Sequence, residues 1–134
     1  MKGILFLCVA NSARSQMAEA IARSLAPAGT FVWSAGSRPA SLRPEVVTAL
    51  AEIGIDASGQ RAKAVSEIPA DRVDTVVTLC AEEECPVFLG PVKRIHWALP
   101  DPVAVTGGSE EERLQAYRDV RDELRRRIAK LLAT

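Results

Sequence analysis

The sequence predicts an α/β fold in which a four-stranded parallel sheet carries helices on both faces. Two observations lead to this prediction: short apolar runs alternate with helical patterns along the chain, and no internal repeat or long linker interrupts them. A third concerns size. The 134 residues, 48% of them hydrophobic, suit one domain over residues 1–134 with a single core.

The first two elements follow from apolar spacing. Residues 3–7 are continuously apolar, which predicts a strand buried on both faces. Residues 15–26 have helical periodicity, and Pro27 and Gly29 end that helix. Its buried face is predicted to carry Met17, Ala18, Ile21 and Leu25.

The remaining elements complete the alternation. We predict strands at 30–35, 73–79 and 92–98, a helix at 43–54, and a final helix from Ser109 to about Leu132. The last helix opens with the capping-box pattern Ser109-x-x-Glu112. Ligands of open parallel sheets bind at the carboxyl ends of the strands. Cys8, Cys80 and Asp101 follow three of the predicted strands.

Composition excludes several function classes. Seventeen basic and seventeen acidic side chains cancel, so we expect no nucleic-acid partner. No apolar stretch approaches the ~20 residues that span a bilayer, so we expect no membrane partner. The apolar run near the N-terminus is interpreted as a strand rather than a signal peptide, and the protein as cytoplasmic. Three cysteines in such a compartment indicate metal binding, redox chemistry, a nucleophile or core packing.

The stretch "CVANSARS" at 8–15 predicts an oxyanion site. A loop between a strand and a helix aims backbone N–H groups at one point, and small residues let the backbone approach closely. Arg14 would add a planar fork that matches two oxygens of a tetrahedral anion. A positive environment stabilises a thiolate at Cys8, to which Ser15 can donate a hydrogen bond. The predicted oxyanion-binding residues are Cys8, Val9, Ala10, Asn11, Ser12, Ala13, Arg14 and Ser15.

The alternative is structural: Cys8 would be a core thiol and Arg14 a surface charge. The spacing C-x5-R-S between a strand and a helix favours the functional interpretation. Asp101-Pro102 has a similar pair of interpretations, either an ordinary turn or a general acid held over the anion.

Cys80 and Cys85 leave more alternatives open. They could form half of a zinc site completed by Cys8 and His96, although no second close ligand pair exists. Cys80 could be a core thiol. A redox role, in which thiols exchange in turn and Cys85 lies on a movable loop at 81–91, needs no metal. We predict no metal site, and the lack of a nucleotide-binding glycine motif implies no nucleotide cofactor.

The run "LCVANSARSQMAEA" resembles the signature loop of the low-molecular-weight tyrosine phosphatase fold, and most closely that of the thioredoxin-coupled arsenate reductases. The resemblance covers nearly the whole chain. It implies a low-molecular-weight phosphatase-like sheet, with Cys8 as nucleophile and Arg14 as the oxyanion-binding arginine. Asn11 would shape the loop, Ser15 would be the thiolate partner, and Asp101 the general acid.

The resemblance also implies a reaction, the reduction of arsenate to arsenite, with phosphate or sulfate as mimics of the substrate. The cysteine matching Cys80 attacks the nucleophile, and the one matching Cys85 then forms the disulfide that thioredoxin reduces. One departure is the gap between Cys80 and Cys85, which is shorter than the family's usual gap. We expect a monomer.

A cation site is a second departure. Some of these reductases bind potassium beside the loop, and Asn11, Glu19 and Ser34 match three of the four ligands. Lys63 stands where the fourth, an aspartate, is expected. We therefore predict that the Lys63 ammonium pairs with Glu19 and that the protein needs no potassium.

Two other functions remain as alternatives. A phosphatase acting on tyrosine phosphate would need only Cys8, Arg14 and Asp101, but "DPVAVTGG" lacks the aromatic residues such phosphatases carry there. A non-catalytic oxyanion- or zinc-binding module is the other. Weak phosphatase activity is expected beside the reductase in any case, because phosphate and arsenate have nearly the same shape.

Overall fold

The computed structural model describes residues 1–81 and 84–133. These residues form a parallel sheet of four strands, and its spatial order is β2-β1-β3-β4. The strands are β1 (Gly3–Cys8), β2 (Phe31–Gly36), β3 (Thr75–Thr78) and β4 (Lys93–His96). The predicted fold class is confirmed.

The described helices are α1 (Arg14–Leu25), α2 (Pro44–Ala51) and α3 (Glu110–Leu132), with short 3-10 helices at Val65–Glu67, Ala70–Arg72 and Pro102–Ala104. The start of α3 is as predicted. Ser109 Oγ accepts from the Glu112 amide at 3.1 Å, and Glu112 Oε1 accepts from the Ser109 amide at 3.2 Å. This reciprocal cap satisfies two amides that a helix start leaves unpaired.

Strand β1 lies inside the sheet, and its side chains are buried on both faces. Because successive side chains of a strand alternate, Ile4 and Phe6 pack with the three α-helices, whereas Leu5 and Leu7 lie on the opposite face. That second face is covered by residues in and near the first two 3-10 helices and by Phe88. Helical segments therefore cover both faces, but the α-helices share one of them.

Three sequence expectations are wrong in detail. Leu25 was expected on the buried face of α1, but it is 49% exposed, because it is the last residue of that helix and the chain becomes extended at Ala26. The third and fourth strands are shorter than the predicted 73–79 and 92–98, and they span Thr75–Thr78 and Lys93–His96. No described helix is both long enough and apolar enough to cross a membrane.

An ion-pair cluster joins the end of α2 to α3. Glu52 accepts hydrogen bonds from Arg118 Nη2 at 2.7 Å and from Arg121 Nη1 at 2.7 Å. Arg121 Nη1 also donates to the Ala49 carbonyl at 2.8 Å. The hydrogen bond from Arg118, and then that from Arg121, lower the pKa of the Glu52 carboxyl to about 2 from its ordinary 4.5.

We predict that Glu52→Gln lowers the melting temperature at neutral pH. A carboxyl whose pKa is lower in the folded state stabilises the fold above its unfolded pKa, and this contribution disappears as the pH falls through the folded pKa. The difference between wild type and variant should therefore shrink between pH 4.5 and about 2. Thermal unfolding across that range measures it, and Glu84→Gln controls for the loss of one negative charge. A difference that does not change with pH would contradict the assignment.

Candidate active site

The loop at 9–13 joins the buried strand β1 to α1. Cys8 is the last residue of β1 and Arg14 the first of α1, so the C-x5-R spacing spans this one connection. Asn11 sits at its centre with a left-handed φ of 50°. Asparagine is among the few non-glycine residues that adopt this conformation readily, which allows the loop to curl.

The outer side of the loop is held by the segment at 37–43. Because the N–H and C=O of one peptide point in opposite directions, carbonyls bonded on the outside turn the following amides inward. The three loop carbonyls that accept from this segment are Val9 from Arg38 at 2.9 Å, Ala10 from Ala40 at 2.8 Å, and Ser12 from Arg43 at 3.0 Å.

Gly36, at the end of β2, allows this close packing. A Cβ at that position would lie 2.3 Å from the Val9 carbonyl oxygen, so any other residue would push β2 away from the loop. The inward amides form the kind of concave nest that binds anions.

The Cys8 sulfur lies at the base of the loop. It is a free thiol, 3% exposed, and it accepts from the Asn11 amide at 3.3 Å. Ser15 Oγ lies 2.8 Å from the sulfur, and Asn11 Nδ2 donates to the same Oγ at 2.7 Å. Hydrogen bonds donated to a sulfur favour its charged form, which is the nucleophilic one.

Arg14 is fixed at the carboxyl edge of the sheet. Its Nη1 donates to the carbonyls of Leu79 at 3.3 Å and Leu99 at 3.1 Å, and its Nη2 lies 3.8 Å from Asp101 Oδ2. The residue is only 4% exposed, so the interpretation of Arg14 as a surface charge is wrong. Its planar group is held in place before any anion binds.

Asp101 combines a turn contact with a contact to Arg14. Its Oδ1 accepts from the Val103 amide at 3.0 Å and caps the 3-10 helix Pro102–Ala104, as in an ordinary turn. Its Oδ2 faces Arg14. The turn thus fixes one oxygen of the carboxyl and leaves the other beside the guanidinium.

Cys80 and Cys85 are joined in a disulfide with a Cα–Cα distance of 5.5 Å. The short gap between them therefore suffices for the pairing that the resemblance implies. Cys80 is 2% exposed, whereas Cys85 is partly exposed and lines a groove of about 540 Å³ with Val9 and Arg38. Glu82 and Glu83, in the predicted movable loop, lie outside the described residues.

The zinc alternative has no support in the described part of the chain. The sulfurs of Cys80 and Cys85 are bonded to each other. Elsewhere among the described residues, no three side chains of histidine, cysteine, aspartate or glutamate cluster in a way that could hold a metal ion.

The predicted pairing of Lys63 with Glu19 is confirmed. Lys63 Nζ lies 3.2 Å from Glu19 Oε1, which also accepts from Ser34 Oγ at 2.9 Å. Arg23 binds the other carboxylate oxygen at 2.9 Å. Two cations therefore neutralise this buried carboxylate next to the loop.

Sequence reasoning missed a second set of contacts to the loop. Asn11 Oδ1 accepts from the Lys63 amide at 2.8 Å and from Gln16 Nε2 at 3.0 Å. Gln16 is part of the quoted signature run, but its other partners, Gln60 and Arg61, lie more than forty residues away. Such contacts leave no periodic or local signal in one sequence.

Comparison with known proteins identifies the family. The family model described as low molecular weight phosphotyrosine protein phosphatase matches residues 3–134. The chain belongs to this family. An arsenate reductase from Shouchella clausii is 42% identical over 135 residues, which cover 99% of this chain and 96% of that protein.

Solved structures of arsenate reductases are similar to this chain as well. An arsenate reductase in the phosphate binding state superposes with a TM-score of 0.82 at 33% identity, covering 99% of this chain and 98% of that one. A thioredoxin-dependent arsenate reductase from Corynebacterium glutamicum gives 0.75 at 28% identity, covering 99% of this chain and 61% of that one.

We predict that potassium chloride gives no saturable rise in melting temperature beyond that of sodium chloride, because the Lys63 ammonium already neutralises Glu19. Lys63→Asp should create a potassium-dependent rise, since it restores a fourth oxygen ligand. Thermal unfolding against cation concentration measures both. Lys93→Asp, on the exposed strand β4, is the charge-matched control. A saturable potassium response in the wild type would contradict the prediction.

Proposed function

We propose that this protein is an arsenate reductase that uses Cys8 as nucleophile and a Cys80–Cys85 disulfide as the oxidised product. One observation carries the proposal: a buried free thiol in an oxyanion-type loop lies at the same sheet edge as a cysteine pair already bonded to each other. A phosphatase of this family has no need of the pair. The arsenate reductase relatives support the same choice.

In the first step, arsenate binds in the loop at 8–15 against the inward amides and the Arg14 guanidinium. The Cys8 thiolate attacks arsenic, and a sulfur–arsenic bond replaces one arsenic–oxygen bond. Asp101 gives its proton to the departing hydroxyl of the protonated arsenate, and this hydroxyl leaves as water. The fixed donors stabilise the added negative charge, because they are already oriented before reaction.

Reduction occurs in the second step. The Cys80 thiolate attacks the Cys8 sulfur, the sulfur–arsenic bond breaks, and its electron pair stays on arsenic, which leaves as arsenite. A Cys8–Cys80 disulfide remains. The Cys85 thiolate then attacks Cys80, so that Cys8 departs as a thiolate and the Cys80–Cys85 disulfide is left.

Thioredoxin is the proposed reductant of that disulfide. Exchange requires an accessible sulfur, and Cys85 is the more exposed of the two. Val87 and Leu89 beside it are 75% and 83% exposed, which offers apolar contact to a docking protein. The Corynebacterium glutamicum relative is thioredoxin-dependent. We place this cycle in the cytoplasm and assign it to a monomer.

We predict that Cys8→Ser, Cys80→Ser and Cys85→Ser each abolish sustained turnover, because every thiol takes part in regenerating the enzyme. The assay mixes protein, arsenate, thioredoxin, thioredoxin reductase and NADPH, and follows the oxidation of NADPH. Ser37→Ala, in the groove beside Cys85 but without a thiol to exchange, is the control and should retain turnover.

Hydrolysis of an aryl phosphate by the same variants separates the phosphatase alternative. The proposal predicts weak hydrolysis that needs Cys8 but neither Cys80 nor Cys85. Brisk hydrolysis, together with arsenate turnover that survives the loss of Cys80 and Cys85, would overturn the reductase assignment in favour of the phosphatase.

A further inference from the structure

Gln16 and Gln60 form the outer part of a hydrogen-bonded chain that ends on the Cys8 sulfur. We propose that this amide pair acts as a positioning device: together with the Arg61 carbonyl and the Lys63 amide, it fixes the direction of each hydrogen bond in the chain, so that Ser15 donates to Cys8. The inference rests on the proposed function, because it concerns which hydrogen bonds the nucleophilic sulfur of that function receives.

The direction of the chain is set first at Gln60. Its Nε2 donates to the main-chain carbonyl of Gln16 at 3.1 Å and to Gln16 Oε1 at 2.6 Å. A carbonyl oxygen only accepts, so the side-chain nitrogen of Gln60 must face Gln16. The oxygen of the Gln16 amide therefore faces Gln60, and its nitrogen faces the opposite way.

The nitrogen of Gln16 then meets the loop. Its Nε2 lies 3.0 Å from the Asn11 main-chain oxygen, 3.0 Å from Asn11 Oδ1 and 2.8 Å from the Arg61 carbonyl, all of them acceptors. The Lys63 amide, which only donates, also points at Asn11 Oδ1 at 2.8 Å. Two donors thus hold the oxygen of the Asn11 side chain, and its Nδ2 must face Ser15.

The last hydrogen bond of the chain joins Ser15 Oγ to the Cys8 sulfur. Asn11 Nδ2 donates to Ser15 Oγ at 2.7 Å, so that oxygen acts as an acceptor there. Ser15 has a single hydroxyl hydrogen, and the Cys8 sulfur lies 2.8 Å away to receive it. A hydroxyl that donates to sulfur favours the thiolate, whereas one that accepts would favour the thiol.

Burial makes this direction hard to reverse. Asn11, Ser15 and Gln16 are each fully buried, so water cannot replace a partner that turns away. A buried polar group that loses its partner is costly, and linked hydrogen bonds strengthen one another. Gln60, which is only partly buried, is the point where the chain can be cut with the least damage to the core.

The test measures the alkylation rate of Cys8 by iodoacetamide at neutral pH, in oxidised protein whose Cys80–Cys85 disulfide leaves Cys8 as the free thiol. Gln60→Met should slow alkylation about fivefold, the change expected from one lost hydrogen bond, and Gln16→Met should slow it further. Inorganic phosphate should protect both variants only at higher concentration than the wild type.

Ile128→Ala is the control for stability. It shortens a fully buried side chain near the end of α3, outside both the loop and the 60–63 segment. It should lower the melting temperature, but it removes none of the hydrogen bonds that run from Gln60 to Cys8. It should leave the alkylation rate and phosphate protection unchanged.

Wild-type alkylation rates in Gln60→Met, or equal slowing in Ile128→Ala, would overturn the inference alone. Failure of the proposed function has a different signature. The wild-type protein itself would then react no faster than free cysteine, phosphate would give no protection, and both proposals would be overturned.

Discussion

The outward hydrogen bonding of the loop carbonyls is the constraint on which the rest of the site depends. The segment at 37–43 takes up the carbonyls of Val9, Ala10 and Ser12, and this turns amides toward the inside of the loop. Without it, the same sequence would present acceptors to an anion and repel it. The glycine at position 36 matters for the same reason, since a side chain there would keep β2 from approaching Val9.

The parallel sheet brings together groups that are far apart in the chain. Cys8 is the last residue of β1, whereas Cys80 and Asp101 follow the ends of β3 and β4, and these three neighbouring strands end at the same edge of the sheet. Arg14 joins these ends through its bonds to Leu79 and Leu99. These carbonyls hold the planar guanidinium in place, with Asp101 Oδ2 at 3.8 Å, so its positive charge meets an incoming oxyanion without reorientation.

The loop at 8–15 could be predicted because its chemistry is local. The strand, the small residues, the arginine and the start of the helix follow each other within a few positions, so their spacing fixes their geometry. The pairing of Lys63 with Glu19 was predicted only through the family resemblance, because the two residues are 44 apart and no pattern in one sequence links them.

The contacts of Gln16 with Gln60 and Arg61 show the limit of prediction from a sequence. They depend on how a non-helical segment crosses the loop, which tertiary packing decides and local propensity does not. Leu25 fails for a related reason. Helical periodicity gives its face correctly but does not show that the core ends one turn earlier.

The most direct test of the account is a single turnover without external reductant. Fully reduced protein is mixed with excess arsenate, and arsenite, free thiols and the position of any disulfide are measured together. The account predicts one arsenite per protein molecule, the loss of two thiols, and a bridge between Cys80 and Cys85. Arsenite without thiol loss, or no arsenite from a fully reduced protein, would contradict it.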